Sequence, residues 1–246
     1  MTRVITVAIH KGGTAKTTTA AALAAGLAFK GKSVLTIDLD SQGHLSYTFG
    51  AKTDRNTVFG VLTDGADAGA AIQYTPSGDI IAASPKLAGI DGVLSDKYAL
   101  RSALRPLRDR YDYIIIDTAP ARSILTVNAL AASDGYIIPT NAETYALMSV
   151  REIITTADNV RLRDNPSLEL LGILVTRYEG TVLERQILTK LQEEADKLGT
   201  QVFQPVRKNI ALSEAALSGQ SIYDYAPKST GAAAYTHLVE DIIKKE

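Results

Sequence analysis

Short apolar runs alternate along this chain with longer stretches of helical period. Residues 4–9, 33–38, 79–83, 113–117, 135–139 and 170–176 read as strands, with a further short one at 201–203. Helical spacing marks 20–28, 98–110, 122–132, 144–163, 182–198, 211–218 and 229–245, while 53–73 reads as short helices broken by glycine. Strands that are apolar on both sides, separated by helices, belong to a sheet covered on both faces. The expected fold is therefore α/β, a mostly parallel twisted sheet with helices on both faces. The length of 246 residues is that of one domain, 1–246. No internal repeat, low-complexity linker or N-terminal helix-turn-helix is expected.

Composition narrows the chemistry. Apolar residues make up 46% of the chain, enough for a sizeable core, and charged residues 22%. The net charge is −1, so any contact with nucleic acid must come from a local patch or from assembly. There is no cysteine, which excludes disulfides and cysteine-ligated clusters. No secretory leader or membrane-spanning run is legible, and a cytoplasmic protein is expected. His10, His44 and His237 lack metal-site spacing and are expected as surface or loop residues.

The chemistry concentrates after the first strand. Lys11-Gly12-Gly13-Thr14-Ala15-Lys16-Thr17-Thr18-Thr19 joins an apolar strand to an alanine-rich helix, the setting of a phosphate-binding loop. The glycines let successive backbone N–H groups face one anion. Lys16 adds charge near the β- and γ-phosphates, Thr17 offers a hydroxyl to Mg²⁺, and Thr18 a contact on the α-phosphate side. The usual G-x-x-x-x-G-K-[ST] is not met, because His10 and Ala15 stand at its glycine positions. Ala15 fits at negative φ with its methyl clear of the phosphate. At positive φ it would strain the loop and weaken nucleotide binding. With every other element present, tolerance is expected.

Acids end two of the strands. Ligands of open α/β sheets bind beyond the carboxyl ends of the strands, which puts Asp38, Asp40 and Asp117 on the edge that carries Lys16. Asp117 closes the run Ile114-Ile115-Ile116-Asp117 and is placed to hold Mg²⁺ directly or through water. Asp40, two residues past a strand end, can orient an attacking water.

Taken in order, these segments resemble the ParA family of deviant-Walker ATPases, within the group that includes MinD. The loop is similar to KGG-x-GKTT. Ile37-Asp38-Leu39-Asp40-Ser41-Gln42-Gly43 resembles the D-x-D-P-Q-G switch, with serine for proline. Tyr111 to Pro120 resembles Y-D-x-I-x-I-D-x-P-P. Asn209 with 212–215 resembles P-R-N-V-R-L-S-E-A, and 227–235 the P-K-S-R-G-A-x-A-Y ending. The resemblance implies a P-loop NTPase fold of the SIMIBI type that uses ATP and Mg²⁺ as a slow, partner-stimulated ATPase. It implies an ATP-state homodimer with two nucleotides between the subunits, and nonspecific binding to DNA on the nucleoid. It also implies a ParB-like activator and a task in plasmid or chromosome segregation or cargo positioning. Lys11 would be the signature lysine that reaches the partner's phosphates. Arg207 and Asn209 would lie near the nucleotide base.

Departures from the pattern shape two alternatives. Ala211 and Thr230 stand where family arginines occur, so DNA binding is expected on a shifted patch of Arg177, Arg185, Lys190, Lys208 and Lys228. A MinD-like membrane ATPase would need a basic amphipathic tail with bulky apolar residues. The tail 235–246 has mixed charge and no Phe or Trp, and reads as a packed terminal helix with no membrane contact. Ala15 and Ser41 keep open a nucleotide-dependent scaffold with little turnover.

Overall fold

The computed structural model describes residues 2–245. Among them seven strands form one sheet: β1 (Arg3–Val7), β2 (Val34–Leu39), β3 (Ile72–Thr75), β4 (Gly78–Ile81), β5 (Tyr113–Thr118), β6 (Gly135–Asn141) and β7 (Glu169–Thr176). Their order is β3-β4-β2-β5-β1-β6-β7. All neighbours are parallel except the β3–β4 hairpin. The helices are α1 (Lys16–Phe29), α2 (His44–Thr48), α3 (Val58–Thr63), α4 (Ala99–Leu104), α5 (Ile124–Ala132), α6 (Ala146–Arg163), α7 (Val182–Lys197), α8 (Ile210–Leu217), α9 (Ile222–Tyr225) and α10 (Thr230–Ile243). The α/β fold expected from the sequence is the one observed.

Side-chain alternation explains the two layers. On β5, Tyr113 and Ile115 join the core beneath α1 and α10, while Ile114 and Ile116 join the core beneath α3, α4 and α5. Successive residues of a strand point to opposite faces, so a run apolar at every position demands a helix layer on each side. A third cluster packs α6 and α7 over β6 and β7. In α1, a Cβ at Gly26 would lie 2.6 Å from Val239 Cγ2 of α10. The missing side chain is what lets the two helices approach.

Three expectations are corrected. Residues 72–75 form a strand rather than the end of a helical stretch, because they pair antiparallel with β4 and bury Ile72. The helix expected over 98–110 ends at Leu104 and tightens into a 3-10 turn, Arg105–Leu107. Pro106 lacks the N–H needed to continue it. Residues 201–203 contribute only an isolated bridge, Val202 to Ile173. Pro205 follows closely and cannot extend a ladder.

Candidate phosphate-binding site

The loop after β1 lies at the carboxyl edge of the sheet and feeds directly into α1. Ala15 occupies the N-cap of α1, and no side chain caps that end. Alanine has no acceptor to offer, so the first N–H groups of the helix stay available to an anion. The backbone at Ala15 is left-handed, with φ 60° and ψ 34°. This corrects the expectation of a tolerated negative φ. A left-handed alanine costs about 1–2 kcal/mol. The surroundings hold it there: Thr19 N donates to Ala15 O at 2.9 Å, and the Thr176 hydroxyl donates to Thr14 O at 3.2 Å.

Two lysines flank the loop differently. Lys16 is buried and its Nζ donates to the Lys11 carbonyl at 2.9 Å. Burial lowers its pKa, opposed by the charges of Asp117 and Asp40. Lys11 points the other way and pairs with Glu143 just past β6, Nζ to Oε2 2.5 Å. That pair holds the Glu143 carboxyl below the usual range. Asn141 completes the tie, its Nδ2 donating to Glu143 Oε1 at 3.0 Å and to Gly13 O at 3.3 Å. Both partners of the ion pair are solvent-accessible, and such a pair contributes about 0–1 kcal/mol. Lys11 is therefore held beside the loop by a contact that contributes little to stability.

The three acids have distinct environments. Asp38 is fully buried and accepts from Asp40 N at 3.0 Å, Ser46 N at 2.8 Å and Ser46 Oγ at 2.7 Å. Burial raises its pKa and these bonds oppose the rise. Ser46 Oγ in turn accepts from Ala83 N at 2.9 Å, so Asp38 joins the ends of β2 and β4 to α2. Asp40 is buried, and its Oδ1 accepts from Gln42 N at 3.0 Å. Asp117 pairs in register with Val7 of β1 and Asp38 of β2. Its carboxylate is wholly buried with both oxygens lacking a full hydrogen bond. Burial and then Asp38 push its pKa well up, and the Thr17 hydroxyl and Lys16 pull it partly back. A buried carboxylate without partners is costly unless a cation completes it. A hard divalent ion that takes one carboxylate, a hydroxyl, phosphate oxygens and water fits this donor set. Among the described residues no cluster of three or more His, Asp or Glu could hold a metal by itself.

Beside the loop opens a cavity of about 520 Å³. Ala15, Thr18, Asn141, Arg177, Arg207 and Asn209 lie along it, which brings the two residues expected near the base together with the loop. Asn209 caps α8, its Oδ1 accepting from Ala211 N at 2.9 Å, and its Nδ2 donates to Thr230 Oγ1 at 2.8 Å. The five basic residues expected to form one patch are all exposed. Arg177 and Lys208 line this cavity, and Lys208 pairs with Glu179 at 2.8 Å. Arg185 donates to Gly180 O, while Arg185, Lys190 and Lys228 are exposed. Sequence reasoning missed Asn141, Glu143 and Thr176. All three follow or end strands at the carboxyl edge, the same signal that located the acids. His10 bonds Thr156 Oγ1 at 3.0 Å and Ala121 O at 3.3 Å, as a loop residue.

A strand, a glycine loop and an uncapped helix, with a buried lysine facing two strand-end acids, define a phosphate-binding loop on an α/β sheet. A family model described as "AAA domain" matches residues 2–170. The chain is 40% identical to the Chromosome-partitioning ATPase Soj of Thermus thermophilus, over 99% of this chain and 96% of that one. It is 35% identical to the Chromosome partitioning protein ParA of Caulobacter vibrioides, over 99% and 95%. A structure described as cobyrinic acid a,c-diamide synthase from Mycobacterium smegmatis, with bound ATP analog and magnesium, superposes with a TM-score of 0.86 at 34% identity, covering 99% of this chain and 95% of that one. The chain belongs to the ParA/MinD family of ATPases.

Proposed function

We propose that this protein hydrolyses ATP with Mg²⁺ as a partition or positioning ATPase, cycling between a monomer and an ATP-bound homodimer. The observation that carries this reading is the Asp117 carboxylate, buried and unpartnered beside Thr17 and Lys16 at the mouth of the loop. Thr17 and Asp117 would hold Mg²⁺, which when bound neutralises charge on the phosphates. The N–H groups of the loop and of the first turn of α1 bind the phosphate oxygens. Lys16 moves from the Lys11 carbonyl to the phosphates, and Asp40 holds the attacking water. Arg207 and Asn209 flank the base. Lys11 exchanges Glu143 for the nucleotide of the partner subunit, so the site is complete only in the dimer and ATP drives assembly. Paired variants test this. Lys16→Ala is expected to lose nucleotide binding. Lys11→Ala is expected to keep it while losing ATP-dependent dimerisation and turnover, read by sedimentation and phosphate release. Dimerisation and turnover intact in Lys11→Ala would overturn the trans role.

The dimer binds DNA without sequence preference, is stimulated by a ParB-like partner, and works in the cytoplasm on the nucleoid. Arg185, Lys190 and Lys228, with Arg177 and Lys208 on the side of the nucleotide cavity, form the DNA patch. Phosphate-backbone binding falls steeply with salt. Binding of the ATP state to random-sequence duplex is thus expected at low salt and should disappear as salt rises. No binding at low salt would sink this part. The packing of α10 favours this reading over a membrane ATPase. Tyr235, Leu238, Val239 and Ile242 are buried against the α1 layer, which leaves no apolar face for lipid. Among the described residues no helix is long and apolar enough to cross a membrane. The strained Ala15 supports slow turnover, with a nucleotide-dependent scaffold as its limit.

A further inference from the structure

A second concentration of unbalanced charge lies at the other end of the sheet. Arg101 on α4, Arg105 at the start of the 3-10 turn that follows and Arg108 just past its end stand four and three residues apart. Residues so spaced share one face of a helix. They line a cavity of about 530 Å³ together with Ser102, Ser133 and Asn165. Asp134, just before β6, is the acid in that lining. Three guanidiniums thus face one carboxylate. The adjoining cavity shares Arg108 and Asp134 but sets Asp112 and Glu169 among its cations, so the excess of positive charge is confined to the wall built by Arg101 and Arg105.

The outer two arginines are already oriented. Arg108 donates to Asp134 Oδ1 at 3.3 Å and to Ala132 O at 3.1 Å, at the end of α5. Arg101 donates from Nη1 to Asp164 O at 3.2 Å, at the end of α6. Each keeps further N–H groups, since a guanidinium carries five donors. The Arg105 side chain, exposed between them, makes no hydrogen bond or ion pair among the described residues. Like charges three and four residues apart destabilise a helix by about 0.2–0.5 kcal/mol per pair. The charge of Arg105 works against the turn that bears it.

We propose that Arg101, Arg105 and Arg108 form a second oxyanion site, at the amino-terminal edge of the sheet and away from the nucleotide loop, that takes a phosphate group. The guanidinium fork matches a phosphate in two-point geometry, and the serine at 102 adds a hydroxyl donor. The phosphate comes from one of two sources, a small phosphorylated solute or the backbone of a nucleic acid. Neither requires the ATP state, because no element of the loop after β1 lines the cavity.

The full chain is tested with its nucleotide loop filled by ADP and Mg²⁺, so that added phosphate does not compete there. One arm titrates inorganic phosphate by calorimetry, the other a labelled random-sequence duplex by anisotropy. Arg105→Gln is expected to weaken binding in at least one arm about ten-fold, and Arg101→Gln with Arg105→Gln to abolish it, with ADP affinity and ATP-dependent dimerisation unchanged. Loss in the phosphate arm assigns a small solute. Loss in the duplex arm alone assigns a nucleic-acid backbone. If the double variant melts at a lower temperature, Arg105→Gln, which removes no side-chain hydrogen bond or ion pair, decides. Wild-type affinity of the variants in both arms, or no binding by the wild type in either, overturns the proposal. Since dimerisation is read separately, this outcome leaves the partition reading standing.

Discussion

At the scale of single residues, the loop was largely legible because its chemistry resides in side chains. Lys11, Lys16, Thr17 and the strand-end acids announce themselves by type and spacing. The conformation of Ala15 was not legible. Its φ is set by the fit of the loop between β1, α1 and the Thr176 hydroxyl, which residue type alone does not carry. Glu143 was missed for a related reason: its tie to Lys11 spans 132 positions. Ala15→Gly is expected to relieve the left-handed strain. The gain is partly offset by the greater freedom of glycine in the unfolded chain, leaving about 0.5–1 kcal/mol. Denaturant unfolding would show the added stability, and ADP titration a tighter complex. Unchanged values in both would mean that the loop bears no strain at this position.

At the scale of elements, most strands and long helices were legible, whereas the helix over 98–110 is cut short at Pro106 and the shortest helices carried no signal. The buried run at β5 and the helix α6 carry enough residues for their period to be plain. α2 and α9 span five and four residues, too few for any period, and exist because neighbours hold them. Asp38 grips the Ser46 backbone in α2, and the Ser221 hydroxyl accepts from Asp224 N at 3.2 Å in α9. The junction of α1 with α10 is the contact that most depends on one residue. Gly26→Ala places a methyl within 2.5 Å of the Tyr223 hydroxyl and 2.6 Å of Val239. Overpacking of this kind costs about 1–3 kcal/mol. Thermal unfolding should record the loss, and Val239→Ala in the same chain should recover part of it. A melting temperature equal to wild type would show that α10 yields without cost.

At the scale of the whole molecule, the sheet order puts β1 between β5 and β6. The loop after β1 therefore meets Asp117 from one neighbour and the Asn141–Glu143 turn from the other. One side presents a buried carboxylate, the other a holding point for the second lysine. α10 closes the back of α1, where the buried Tyr235 hydroxyl lies 3.1 Å from Thr19 Oγ1. The burial that shapes this site also ties it to proton traffic. Lys16 has a lowered pKa and Asp117 a raised one, so burial weakens the preference of each for its charged form. A polyphosphate beside Lys16 favours its ammonium, and a divalent cation at Asp117 favours its carboxylate. Nucleotide alone is expected to draw protons from solution, more at about pH 9 than at about pH 7. Nucleotide with Mg²⁺ is expected to draw fewer, or to release them. Calorimetry in buffers of unlike ionisation enthalpy reads the difference directly, and heats independent of buffer in both cases would refute it. Each turn of an ATP-driven cycle would then carry protons on and off the protein, which couples its nucleotide occupancy to the acidity of its surroundings.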